Sequence, residues 1–273
     1  MQNGLFYIAV IFQCCLYSCI EVPVVLPTGS DPTTNQTTQN VLIEEYTGVR
    51  CQNCPAGAQL LEELKTIHGD QLIVLSIHGG FFAQPTNKEN KLTLDNTFGA
   101  QLISRFNQPQ GYPSAMINRK VFGGQSSIFV GGSFWPGYVV EEKSKTPTIK
   151  LSLTLQHLPA QRLINIQCSI SGMKDLTAQS LGLSLVVAEN NIKDAQLTPT
   201  GVDTNYIHRH VMRSFVTGTQ GDAIQPIVSG ASNTYNYTTT YQADWNPDQL
   251  SIIAFVHQMG GDNVVIQTVE KKL

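Results

Sequence analysis

The chain is short of several things, and each shortage excludes something. It holds no run of about 18 continuous apolar residues, so no membrane-spanning helix is expected. It holds no basic block and carries a net charge of −3, so nucleic acid is not an expected partner. Lys and Arg are missing before Arg50, which deprives any export signal of its usual basic start. Cysteine is scarce: six in 273 residues. Cys14, Cys15 and Cys19 crowd the start, Cys51 and Cys54 form a pair, and Cys168 stands alone.

What the start does have is an apolar run, Leu5 to Phe12, too short to span a bilayer but suited to a signal-peptide core. Leu16-Tyr17-Ser18-Cys19 follows and resembles the bacterial lipobox. That resemblance implies a signal over residues 1–18 and a lipid on Cys19; a cleaved secretory signal without lipid is the plainer alternative. Residues 19–40 are rich in Pro, Thr, Asn and Gln, cannot bury a core, and read as a flexible tether. The remaining body is long enough for two cores.

Cys51-Gln52-Asn53-Cys54-Pro55 is the most informative stretch. It lies between an apolar run at Val41-Leu42-Ile43 and a helix-like segment from Ala56 to His68. A helix N-terminus offers partial positive charge and free N–H donors, which favour thiolate over thiol. The spacing lets a second thiol resolve a mixed disulfide formed by the first. Leu60, Leu64 and Ile67 mark the helix's apolar face, and Gly69 its stop. Leu72 to His78 reads as a buried strand, so strand, helix and strand suggest a βαβ unit. Asn96 to Phe106 forms a second helix, followed by Gly111-Tyr112-Pro113-Ser114 and a strand from Ala115 to Arg119.

A Cys-x-x-Cys upstream of such a proline resembles the thioredoxin fold. The resemblance implies that Pro113 is cis and faces the disulfide, and that Tyr112 contacts a bound peptide. Glu45, six residues before Cys51, stands at the offset of that fold's buried proton-relay acid. Glu44 and Glu45 alternate faces on a strand, so one is expected to point inward, and Glu45 is the choice. The plainer reading is two exposed carboxylates at a strand end. Arg50 stands where many thioredoxins have Trp; its charge could lower the Cys51 pKa, or it is a solvated loop arginine. Gln52-Asn53 matches neither the Gly-Pro of reductants nor the Pro-His of strong oxidants.

Residues 139–147 are charged, end in Pro147, and read as a linker. Beyond them the period becomes two: Ile149, Leu151, Leu153 and Leu155 alternate with polar residues. Further strand candidates span 163–170, 181–188, 208–216, 234–241, 250–258 and 263–269. Their number and punctuation indicate an immunoglobulin-like antiparallel sandwich over 148–273. Cys168 reads as a buried, inert residue, and trapping by the cysteine pair is the lesser reading. His208-Arg209-His210 puts two imidazoles on one strand face, a conceivable metal half-site. A zinc site at Cys51 and Cys54 would need two more ligands and is not expected.

Residues 42–57, Gly111-Tyr112-Pro113-Ser114 with Asn118-Arg119, and the run ending Gln267-Thr268-Val269-Glu270 together resemble the 28-kDa outer-membrane lipoprotein family of Gram-negative bacteria. The resemblance implies an α/β thioredoxin-like domain over 41–138 followed by an all-β sandwich domain, in a lipoprotein of the cell envelope. The expected function is thiol–disulfide exchange with envelope protein thiols or disulfides, without a cofactor and without a metal. Cys51 would attack, Cys54 resolve, Glu45 move protons, and Pro113, Tyr112 and Arg50 seat the substrate. The alternative is a non-enzymatic surface protein that uses the first domain as a scaffold.

Overall fold

The computed structural model describes residues 38–85, 90–92, 94 and 97–273. The expected signal, Cys14, Cys15, the lipidation position Cys19 and most of the tether lie outside the described residues.

The first half alternates strands and helices: β1 (Val41–Thr47), α1 (Cys54–His68), β2 (Leu72–His78), α2 (Thr97–Phe106), β3 (Ser114–Ile117) and α3 (Trp135–Lys143). The second half is strands: β4 (Ile149–Leu158), β5 (Leu163–Gly172), β6 (Leu181–Glu189), β7 (Ile192–Thr198), β8 (Gly201–His208), β9 (Val211–Phe215), β10 (Asp222–Ala223), β11 (Ser232–Thr240), β12 (Leu250–Gln258) and β13 (Val265–Lys272).

One large mixed sheet runs through both halves in the order β13-β12-β6-β9-β2-β1-β3, with β10 added beside β6. β1 and β2 pair in parallel, and β3 pairs antiparallel with β1. The halves meet where Ser76 of β2 pairs in parallel with Val211 of β9. β4, β5 and β11 form a separate antiparallel sheet, and β7 and β8 a two-stranded hairpin.

Both faces of the large sheet are covered, so its strands are apolar on both sides. On one face, Leu42, Ile73, Leu75, Val186 and Phe255 pack with Leu102 and Phe106 of α2. On the other, Val41, Ile43 and Val74 pack against Leu61 and Leu64 of α1 and Trp135 and Val139 of α3. Further along that second face, Leu183, Leu185, Ile252 and Ala254 meet Leu151, Ile166 and Cys168 from the β4–β5–β11 sheet. Cys168 is fully buried there, and burial pushes its thiol up to about 12.

Two expectations change. Residues 139–147, read as a linker, are mostly helix: Pro136 opens α3, and Val139 and Glu142 are buried. The charge that suggested solvent is instead anchored, because Glu142 accepts from Asn118 Nδ2 and pairs with Lys120 and Lys145. The second is the β7–β8 hairpin, absent from the sequence reading. β8 is exposed over its first five residues and β7 carries a register shift at Asp194/Gln196, so neither strand shows a clean alternation.

Candidate functional site

The Cys51–Cys54 disulfide is formed, with Cα atoms 5.3 Å apart, and Cys54 is the first residue of α1. Pro55 starts the helix cleanly, since its missing N–H would have had no partner there. The turn before the helix is tied by Cys51 N–H donating to Gly48 O and Cys54 N–H to Cys51 O. Gly48 is required: a Cβ there would lie 2.2 Å from Phe82 O, on the loop that crosses it.

The Tyr112–Pro113 bond is cis. Pro113 lies against Gly57 of α1, where a Cβ would come within 2.8 Å of the proline ring and 3.0 Å of Glu45 Oε1. One missing side chain thus lets the cis-proline, the helix and Glu45 converge beside Cys54. Tyr112 is half-buried with its ring 4.9 Å from Phe82, and burial pushes its phenol up to about 12.

Glu45 is buried, and so is Glu44; the expectation that only one would point inward is corrected. The two do face opposite sides of β1, but both sides are covered. Glu45 faces α1, where Ser76 Oγ donates to its Oε2 at 3.2 Å and Oε1 has no partner. Burial pushes its carboxyl up to about 8, against a small opposing effect of Ser76. Glu44 faces α2 and accepts from Arg119 Nε and Nη2, both at 2.7 Å.

Arg50 is tied to the neighbouring loop. Its guanidinium donates to Pro85 O and lies 5.7 Å from the Phe81 ring. Nor are the sulfurs open: Cys51 is 3% and Cys54 2% exposed, although Gln52 and Asn53 between them are exposed.

The cover is the β7–β8 hairpin. Gln196 Nε2 donates to Gly48 O at 3.2 Å and Cys51 O at 3.0 Å, and Leu197 N–H donates to Val49 O. Asp194 holds the hairpin's other side by accepting from Lys91 N–H, Leu92 N–H and Asn90 Nδ2. These residues were missed because nothing local marks them; Gln196 is 145 positions from Cys51.

His208 and His210 do not form one metal face. His208 ends β8 and lines a cavity beside Cys54, whereas His210, at positive φ, turns away and contacts Glu62 Oε1 at 2.9 Å. No cluster of three or more metal-ligating side chains occurs among the described residues.

A disulfide at the start of a helix, with a cis-proline and a buried acid packed against Gly57 of that helix and all of it set in a mixed sheet, defines the class of site. The family follows from residues 100–273, which match the model described as outer membrane protein Omp28. The chain belongs to this Omp28 family, and its place is the cell envelope, at the outer membrane. No curated protein matches it. Among solved structures it is similar to HBP35 of Porphyromonas gingivalis, at 19% identity and TM-score 0.68, covering 86% of this chain and 76% of that one. A protein of Agrobacterium tumefaciens, AGR_C_4864, is similar at 11% identity and TM-score 0.53, covering 85% and 93%. At these identities the likeness concerns the fold.

Proposed function

We propose that this envelope protein exchanges disulfides with protein thiols through Cys51 and Cys54. The observation that carries the reading is the meeting of cis-Pro113 and buried Glu45, whose Oε1 has no partner, against Gly57 of the helix that Cys54 begins. Cys51 is the attacking sulfur and Cys54 the resolving one. Glu45, protonated at neutral pH, gives its proton to the Cys54 thiolate as the disulfide opens. Tyr112 and Pro113 seat the partner strand; Arg50 acts by fixing the neighbouring loop at Pro85. The same reading takes residues 41–138 as thioredoxin-like, 148–273 as immunoglobulin-like, and Cys19 as the lipid-bearing anchor.

A second reading rests on the burial of both sulfurs under the hairpin: a fixed structural bond in a non-enzymatic surface protein. A redox titration of the full chain in detergent, read by alkylation and mass spectrometry, separates the two. A reversible midpoint between about −120 and −270 mV supports exchange, and a pair still oxidised below about −300 mV supports the structural bond. Cys51→Ser should abolish exchange and Cys54→Ser should trap mixed disulfides; exchange retained in both would sink the mechanism.

A further inference from the structure

β11 (Ser232–Thr240) is the outer strand of the β11-β5-β4 sheet and pairs with β5 alone, over nine residues without a register shift. At one end Gly172 N–H donates to Ala231 O, and at the other Tyr241 N–H donates to Arg162 O. By the alternation of an antiparallel ladder, the odd-numbered residues turn their main chain towards β5. Ser232, Thr234, Asn236, Thr238 and Thr240 turn theirs to the open side, and all five are exposed.

An open edge templates further strands, and proteins guard it with charge, proline, a bulge or a cover. Among the described residues the other edges are guarded. Val130 exchanges two main-chain bonds with Ala115 of β3, at 3.0 and 2.9 Å. Gln39 and Asn40 donate to Ile266 O and Thr268 O of β13. β4 carries Lys150, β7 carries Lys193 and Asp194, and β8 carries Asp203 beside a register shift. β10 is only two residues long. β11, Ser-Asn-Thr-Tyr-Asn-Tyr-Thr-Thr-Thr, has no charge, no proline and no bulge. Nor is it slack. Ser232 Oγ lies 2.6 Å from Ser171 Oγ and Thr234 Oγ1 3.3 Å from Ser169 Oγ, and Thr238 Oγ1 donates to Asn165 Oδ1 at 2.9 Å.

We propose that β11 is the surface through which two copies of this chain associate, pairing antiparallel about a two-fold axis at Asn236 and joining their three-stranded sheets. This association stands apart from the cysteine chemistry, because β11 belongs to the separate sheet.

Symmetry and charge select the occupant. A two-fold axis sets each copy of the strand against itself, so any charge on it would come near its own kind, and β11 has none to repel. A foreign strand needs no such neutrality, since its charges could be answered by opposite ones. The five outward residues are centred on Asn236. An axis there brings Ser232 opposite Thr240 and Thr234 opposite Thr238 of the second copy, hydroxyl pairs that favour cross-strand contact. Each outward residue then donates and accepts, giving about ten main-chain hydrogen bonds, the usual number for a specific interface. Pairing also stops at two copies, since the remaining edges are guarded.

The test is sedimentation equilibrium of the full chain in detergent, with micelles in excess and across a concentration series. The expected result is a reversible monomer–dimer equilibrium. Thr234→Lys together with Thr238→Lys sets like charges opposite each other and should raise the dimer dissociation constant about a hundredfold. Thr234→Asp together with Thr238→Asp should do the same. An equimolar mixture of the two altered chains should recover the dimer, since each Lys then meets an Asp. A wild type that stays monomeric throughout overturns the proposal and leaves the edge to a strand of another protein. A dimer that survives both pairs of substitutions overturns it too, because another surface then holds the copies, and so does a mixture that stays monomeric. Should an altered chain not fold, amide hydrogen exchange of the unaltered protein decides. Exchange at Ser232, Thr234, Asn236, Thr238 and Thr240 that slows as concentration rises supports the pairing, and exchange there that ignores concentration overturns it.

Discussion

Glu44 and Glu45 are adjacent on β1 and equally buried, yet the two faces of that strand treat their carboxylates in opposite ways. Towards α2, Glu44 meets a guanidinium in bidentate geometry, itself 4.9 Å from the Phe106 ring and 4.7 Å from Phe255. Towards α1, Glu45 meets a single hydroxyl, a disulfide and a small cavity. A bidentate ion pair satisfies a buried charge; one weak hydrogen bond does not, so Glu45 holds its proton. The first face is built to keep a charge in place, and the second to keep a proton available.

The comparison breaks most severely at Arg119. Arg119→Ala strands the Glu44 charge in the core and should cost about 3–5 kcal/mol in urea unfolding. A loss below about 1 kcal/mol would mean that Glu44 finds another partner. Next in size is Gly57→Val, whose side chain must displace Pro113 and Glu45 together; overpacking of this kind costs about 2 kcal/mol in the same measurement.

Glu45→Gln sharpens the contrast through pH. With a folded-state pKa of about 8 against an ordinary 4.5, the native protein holds a proton that the unfolded chain has released. Its contribution is fully present below pH 4.5 and lost as pH rises towards 8, at about 1.4 kcal/mol per pH unit. Glu45→Gln should flatten that slope, and an unchanged slope would show that Glu45 is ionised in the folded protein. His78 and His208 act in the other sense: their pKa values are depressed, so their share is present above pH 6.5 and lost as pH falls through about 4 and 3. The smallest effect is Ser76→Ala, which removes the 3.2 Å bond to Glu45 and should cost about 1 kcal/mol.

The sequence made one side of this comparison legible and hid the other. The cysteine pair, the helix behind it, β1, β2 and the proline at 113 all carry local signals: a short motif, a helical stripe and buried apolar runs. Glu45 was found by its offset from Cys51. Arg119 carried no such mark, because its partner lies 75 positions away across a fully covered sheet. Gln196 was hidden for the same reason, lying on a hairpin with little apolar alternation. His208 was noticed for its neighbour His210, although the backbone turn at His210 separates the two. The joining of the halves into one sheet was equally invisible: Ser76 and Val211 meet in register, but each reads as an ordinary strand residue.

That shared sheet also sets an order of events in biogenesis. Gln39 Nε2 donates to Ile266 O and Asn40 Nδ2 to Thr268 O, so the first described residues are fastened to a strand 227 positions downstream. β2 waits for β9, and β9 and β6 for β12 and β13. A chain crossing the envelope amino end first would present β1 and β2 with an open edge and an uncovered apolar face until nearly all of it had arrived. Such late, non-local pairing is slow and exposes the chain to aggregation. The cysteine pair, too, stays uncovered until the β7–β8 hairpin arrives, whose Gln196 reaches it from 145 positions downstream.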